Sequence, residues 1–188
     1  MHKDEMWQLY YPNGEPISGA GWDSARDNPE APDTEIVGVA VVFVFRVNKE
    51  GVLELLWQKR AAEVSRFPGY YDISAGGHIN LGESLTEAAV REAREEIGIK
   101  ITPDELGLVT MRGFNKNRLA WVYAVDWSER SEVFHFDDKE VEEVQWVPFE
   151  ITYDFVKKYA KPSLKKDELT FEALKVWFLQ HGYLQSEG

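Results

Sequence analysis

Three carboxylates crowd one short stretch of this chain. Glu92, Glu95 and Glu96 fall within GHINLGESLTEAAVREAREEIGI, residues 77–99. On a helix, residues three and four apart share a face, so Glu92 would stand beside both of the others, at a cost of roughly a few tenths of a kcal/mol per like-charged pair. The three also fall in the last two turns, where the partial negative charge of the peptide dipoles opposes each acid by roughly 0.3 to 1 kcal/mol. Arg91, four residues before Glu95, offsets part of this repulsion. A solvated face of Glu and Arg is the plain alternative. A divalent cation would compensate all three acids, because hard ions take carboxylate oxygens and accept further oxygens from phosphates. The chemistry suggested is metal-assisted work on a phosphorylated molecule.

The local signals for that helix are strong. Ser84 can cap it with Glu87 at the third position, and Gly98 can supply the left-handed residue that ends it, so a helix is expected from Leu85 to Ile97. Leu85, Ala88, Ala89, Ala93 and Ile97 recur at three- and four-residue spacing and would pack on a sheet. Before the helix, Trp7 to Tyr11, Pro12-Asn13-Gly14 and Pro16-Ile17 read as a hairpin, followed by a polar surface loop to Thr34 that carries Asp23, Asp27, Glu30 and Asp33. IVGVAVVFVF and VLELLWQ flank the turn signal at residues 48–51 and read as central strands, with a short strand from Tyr71 to Ala75. After the helix, strands are expected at Glu105 to Arg112, Leu119 to Trp127 and Val144 to Val147, and helices at Phe149 to Ala160 and Leu169 to Gln180, the first ended by Pro162. Strands and helices mix without a repeated βαβ rhythm, which points to an α+β fold, a mixed sheet flanked by helices.

Composition narrows the function. The 188 residues suit a single domain, 44% of them hydrophobic, with residues 1–35 as hairpin and loop, 36–149 as core and 150–188 as C-terminal helices. A net charge of −12 argues against binding to nucleic acid or to an anionic membrane, while leaving room for a local basic pocket. With no cysteine, thiolate metal sites and cysteine nucleophiles are excluded. The N-terminal residues lack a signal-peptide core, and no apolar run nears the roughly 20 residues of a membrane helix, so a cytoplasmic location is the default expectation.

The larger pattern is more specific. Gly77, five residues, Glu83, seven residues, then Arg91-Glu92-Ala93-Arg94-Glu95-Glu96-Ile97-Gly98-Ile99 resembles the full signature of the Nudix hydrolases. That resemblance implies an α/β/α sandwich with a loop-helix-loop site, and cleavage of a diphosphate linkage in a nucleoside diphosphate derivative or related organic diphosphate, with Mg²⁺ or Mn²⁺ as cofactor. It implies Glu92, Glu95 and Glu96 as metal ligands, and Glu83 and Arg91 as the residues that fix the loop and helix. Glu140, six residues before Trp146, resembles the downstream acid of many members and is expected as a supplementary ligand or general base, with Glu92 as the competing base.

Lys59-Arg60, Phe67-Pro68-Gly69, Ser74-Ala75-Gly76-Gly77-His78 and DDKEVEEVQWVP further resemble the isopentenyl-diphosphate isomerase branch, over roughly Ile36 to Phe149. Arg60 matches a phosphate-binding position of that branch. Arg66 is chosen for its proximity to Phe67-Pro68-Gly69, and Lys59 is a weaker candidate. The isomerase's cysteine position is Gly76, and its paired downstream glutamates fall near Asn117 and Leu119, so hydrolysis is the stronger expectation. The alternatives are an isomerase-like enzyme and a silent nucleotide-sensing module. The expected partner is a small-molecule diphosphate, with the Trp and Tyr residues near the hairpin as candidates for a homodimer interface.

Overall fold

The computed structural model describes residues 6–23, 36–115, 117–131, 133–136 and 139–185. In chain order its elements are β1 (Met6–Tyr10), β2 (Pro16–Asp23), β3 (Ile36–Val47), β4 (Leu53–Arg60), β5 (Tyr71–Asp72), β6 (Ala75–His78), α1 (Leu85–Ile97), β7 (Gly107–Asn115), β8 (Arg118–Asp126), β9 (Val141–Pro148), α2 (Thr152–Tyr159) and α3 (Glu168–Gln180).

The nine strands form one sheet organised around β3. Its length lets different stretches meet different partners. Leu9 of β1 lies opposite Val37, Gly76 of β6 opposite Val41 and Leu55 of β4 opposite Phe45, all antiparallel. Along its other edge β8 runs parallel, Val122 beside Val41. Successive strand side chains point to opposite faces. Ala40, Val42 and Val44 therefore join Ala88, Ala89, Ala93 and Ile97 of α1, while Phe43 and Phe45 join Trp57 and the α3 residues Phe171, Leu174 and Phe178. Small alanines face the sheet from α1, and an aromatic cluster packs between the sheet and α2 and α3. The result is the expected α+β architecture, an α/β/α sandwich around a mixed sheet.

Several boundaries differ from the sequence reading for local reasons. The single strand expected from Tyr71 to Ala75 is two pieces. Between them the Ser74 hydroxyl accepts from the Val44 N–H at 2.9 Å and donates to the Leu56 carbonyl at 2.6 Å, replacing ladder bonds with a side chain. A 3-10 turn at Pro103–Glu105 delays β7, and another at Phe149–Ile151 precedes α2. Asp23 belongs to β2 and not to the polar loop, whose Asp27, Glu30 and Asp33 lie outside the described residues. Among the described residues no helix is long and apolar enough to cross a membrane.

Candidate active site

The helix that carries the acids is fixed at both ends. The Ser84 hydroxyl accepts from the Glu87 N–H at 3.2 Å and the Glu87 carboxylate accepts from the Ser84 N–H at 2.9 Å, the reciprocal cap expected from sequence. Gly98 ends the helix at φ 71°, and a Cβ there would lie 2.7 Å from His135 atoms, so both conformation and space require glycine.

Arg91 ties this helix to the loop before it. Its Nε and Nη2 donate to the two oxygens of Glu83 at 2.8 and 3.0 Å, and Nη2 also donates to the His78 carbonyl at 2.9 Å. Glu83 in turn accepts from the Asn80 N–H at 2.9 Å. This two-pronged pair is partly buried, with 20% of the Arg91 and 15% of the Glu83 side chain exposed. From its other side Arg91 Nη1 donates to Glu92 at 2.7 Å and to Glu95 at 3.2 Å.

The three acids stand in graded surroundings. Glu95 is exposed. Glu92 points at the β6 backbone, where a Cβ on Gly77 would lie 2.1 Å from its Oε1, so the glycine makes room for the carboxylate. Glu96 accepts from Gln58 Nε2 at 2.8 Å and from the Gly76 N–H at 3.0 Å. Burial pushes the Glu92 carboxyl up to about 7, against the pull of Arg91. Burial, then the charges of Glu92 and Asp72, push Glu96 well above the usual range, opposed by its two hydrogen-bond donors.

Among the described residues, no group of three or more His, Asp or Glu side chains stands ready to hold a metal ion. The donor chemistry nevertheless fits a hard divalent cation. Oxygen ligands cluster on one helix face, two of them resist carrying negative charge in their present surroundings, and Arg91 supplies the local positive charge.

A cavity of about 440 Å³ is lined by residues of the sheet and its loops, with Gly76, Gly77 and His78 of β6 among them and none of Glu92, Glu95, Glu96 or Glu140. Val39, Val41 and Phe43 form its floor, and Gly76, Gly77 and His78 its wall toward the acids. Arg60 and Arg66 line it, with Arg60 Nε donating to the Arg66 carbonyl at 3.0 Å. Glu140 stands beside Arg60, 3.5 Å from Nη2. Lys59 is not in the lining. Its ammonium lies 3.2 Å from Glu142 and 3.4 Å from Glu143. Phe67, held at φ 52°, is at the rim, whereas Tyr71 packs on Phe155 and Tyr159. Asp137 and Asp138 lie outside the described residues.

The sequence reading missed Asp72, Arg112, Arg118, Lys161 and Asp167, all of which line the cavity. Lys161 Nζ donates to Asp72 at 2.5 Å, and Arg112 donates to Thr170 Oγ1 at 2.6 Å and to Asp167.

Two features bear on the isomerase alternative. A Cβ on Gly76 would lie 2.8 Å from both the Ala40 carbonyl and Ile73 Cδ1, so the position of the isomerase's cysteine has no room for a side chain without a shift. His78 stacks on Trp7 with ring centroids 3.5 Å apart, and burial, then Arg118, Arg66 and Arg91, hold its imidazole neutral, down to about 3.

The NUDIX domain profile matches residues 35–166. Nudix hydrolase 3 of Arabidopsis thaliana is 33% identical over 120 residues, 58% of this chain and 16% of that protein. An uncharacterized Nudix hydrolase of Pseudomonas aeruginosa is 40% identical over 86 residues, 42% of this chain and 49% of that protein. An isopentenyl-diphosphate Delta-isomerase of Escherichia coli is 33% identical over 100 residues, 50% of this chain and 53% of that protein. The chain thus spans no more than 53% of the length of these curated relatives. Among solved structures, DR0079 from Deinococcus radiodurans superposes with a TM-score of 0.67 at 24% identity, covering 90% of this chain and 99% of that one. The NUDIX domain of Shewanella oneidensis NrtR, complexed with ADP ribose, gives 0.58 at 18% identity, covering 82% and 95%. These structural likenesses establish the fold.

Proposed function

This chain belongs to the Nudix family, and from that premise we propose that it is a Mg²⁺- or Mn²⁺-dependent hydrolase of a diphosphate linkage, in a nucleoside diphosphate derivative or a related organic diphosphate. The observation that carries the reading is the Glu83–Arg91 clamp, which reaches Glu92 and Glu95, while Glu92 and Glu96 lie against Gly77 and Gly76, glycines that line a cavity rich in basic residues.

In this reading Glu92, Glu95 and Glu96 hold the cation, with Glu140 as a supplementary ligand or the base and Glu92 as the competing base. A divalent ion bound there would screen the diphosphate charge and lower the pKa of water. Arg60 and Arg66 present planar guanidinium donors to phosphate oxygens. Gln58 and the Gly76 N–H orient Glu96, and Arg91 orients Glu92 and Glu95. The apolar floor excludes water from one side of the substrate.

The test is product release from nucleoside diphosphates and triphosphates, sugar nucleotides, dinucleotides and dimethylallyl diphosphate, with Mg²⁺ or Mn²⁺. Cleavage that requires the cation and disappears in Glu95→Gln/Glu96→Gln is the expected result. Saturable binding without turnover would favour a sensing module. Isomerisation of the prenyl substrate would restore the reading that Gly76 argues against. Glu140→Gln should cut turnover by at least about tenfold with the fold intact, and unchanged turnover would remove Glu140 from the mechanism.

A further inference from the structure

Building on the hydrolase reading, we infer that the cavity selects its substrate by charge. The part of the substrate beyond the scissile diphosphate carries a further phosphate, and Arg112 and Lys161 are specificity-determining residues that bind it.

The lining chemistry is one-sided. Arg60, Arg66, Arg112, Arg118 and Lys161 can only donate hydrogen bonds. The lining carboxylates, Asp72 and Asp167, already accept from Lys161 and from Arg112. The hydroxyl of Thr170 accepts from Arg112. Among the described residues no Asn, Gln, Tyr or Trp lines the cavity; Ser163 is its other hydroxyl, and its rings are Phe43 in the floor, Phe67 at the rim and His78, already stacked on Trp7. A nucleobase edge presents donors as well as acceptors, whereas the charged lining side chains left over are donors. Phosphate oxygens only accept, and matching them to fixed cationic donors is what this lining can do.

Arg112 and Lys161 stand where a second phosphate would be read. Neither belongs to the helix or loop that carries the acids. Arg112 comes from β7, and Lys161 follows α2, its N–H donating to the Tyr71 carbonyl at 3.0 Å. Their carboxylate and hydroxyl partners fix them before any ligand arrives, so little side-chain freedom is lost on binding. The chain carries −12 overall, which makes a wall of this sign a local arrangement and not a property of the whole surface.

The experiment uses matched diphosphates that differ by one phosphate: ADP-ribose against its 2′-phosphate, and adenosine 5′-diphosphate against its 3′-phosphorylated form. A third comparison, without a base, sets ribose 1-diphosphate against 5-phosphoribosyl 1-diphosphate. The added phosphate should raise kcat/KM by about tenfold or more in at least one comparison. Lys161→Gln and Arg112→Gln should bring that ratio toward one, while Arg112→Lys keeps part of it. If Arg112→Gln does not fold, as judged by circular dichroism, Lys161→Gln decides the matter alone. A ratio near one in every comparison, or a ratio that these substitutions leave unmoved, overturns the inference while leaving hydrolysis standing. If nothing is turned over, calorimetric binding of the same compounds to the Glu95→Gln/Glu96→Gln protein still tests the subsite. A phosphate preference there that Lys161→Gln abolishes supports it, and equal binding overturns it.

Discussion

At the scale of single residues, Arg91 does two jobs at once. It locks the loop through Glu83 and the His78 carbonyl, and it lies against Glu92 and Glu95. Lysine at this position would keep the charge but lose the planar fork that reaches both Glu83 oxygens. Arg91→Lys should therefore weaken Mn²⁺ binding by about tenfold or more with little change in the far-UV spectrum, measured by titration calorimetry. Unchanged affinity would reduce the clamp to a structural pair. A shared part for Glu83 and Arg91 in fixing loop and helix was implied by the resemblance of one local motif, and the structure pairs them. Asp72 and Lys161 were not legible from sequence. They are 89 residues apart and meet only because the sheet brings β5 to the end of α2.

At the scale of elements, α1 was readable to its boundaries because caps and periodicity are local. Strand ends were less so. The Ser74 side chain that divides β5 from β6 bonds to β3 and β4, which are set by pairing at a distance. The capping box gives a direct check. Ser84→Ala removes the acceptor for the Glu87 N–H and should cost about 1 kcal/mol, or roughly 3 °C in Tm for a chain of this size. Since Ser84 contributes no ligand, the loss should show in thermal melts before it shows in turnover. A melt that does not move would mean that the α1–sheet contact alone holds the first turn.

At the scale of the whole molecule, the paired acids make stability depend on pH in an unusual sense. Burial pushes the Glu92 carboxyl up to about 7 from an ordinary 4.5, so the folded state holds its proton more tightly than the unfolded chain does. That contribution to stability is fully present below about pH 4.5 and is lost as pH rises toward 7. Glu96 acts in the same direction. In chelator, Glu92→Gln should gain on the parent protein across this window by an amount on the order of 3 kcal/mol, measured by urea unfolding. Added Mg²⁺ should reverse the order at pH 8, because the cation stabilises the ionised acids of the parent. A gap between the two proteins that is constant from pH 4.5 to 8 would show that Glu92 is not the group responsible.

Strand β3 has a consequence for exchange with solvent. Its backbone is bonded to four different strands, β1, β4, β6 and β8, so freeing its amides requires several pairings to separate together. Deuterium should therefore enter the stretch from Val42 to Phe45 last, and at a rate set by opening of the entire fold. Those few amides become a built-in gauge. When a cation binds the acids of α1, protection in β3 should rise by the same factor as the folding constant, and the affinity of the metal can be read from a strand that contributes none of its ligands.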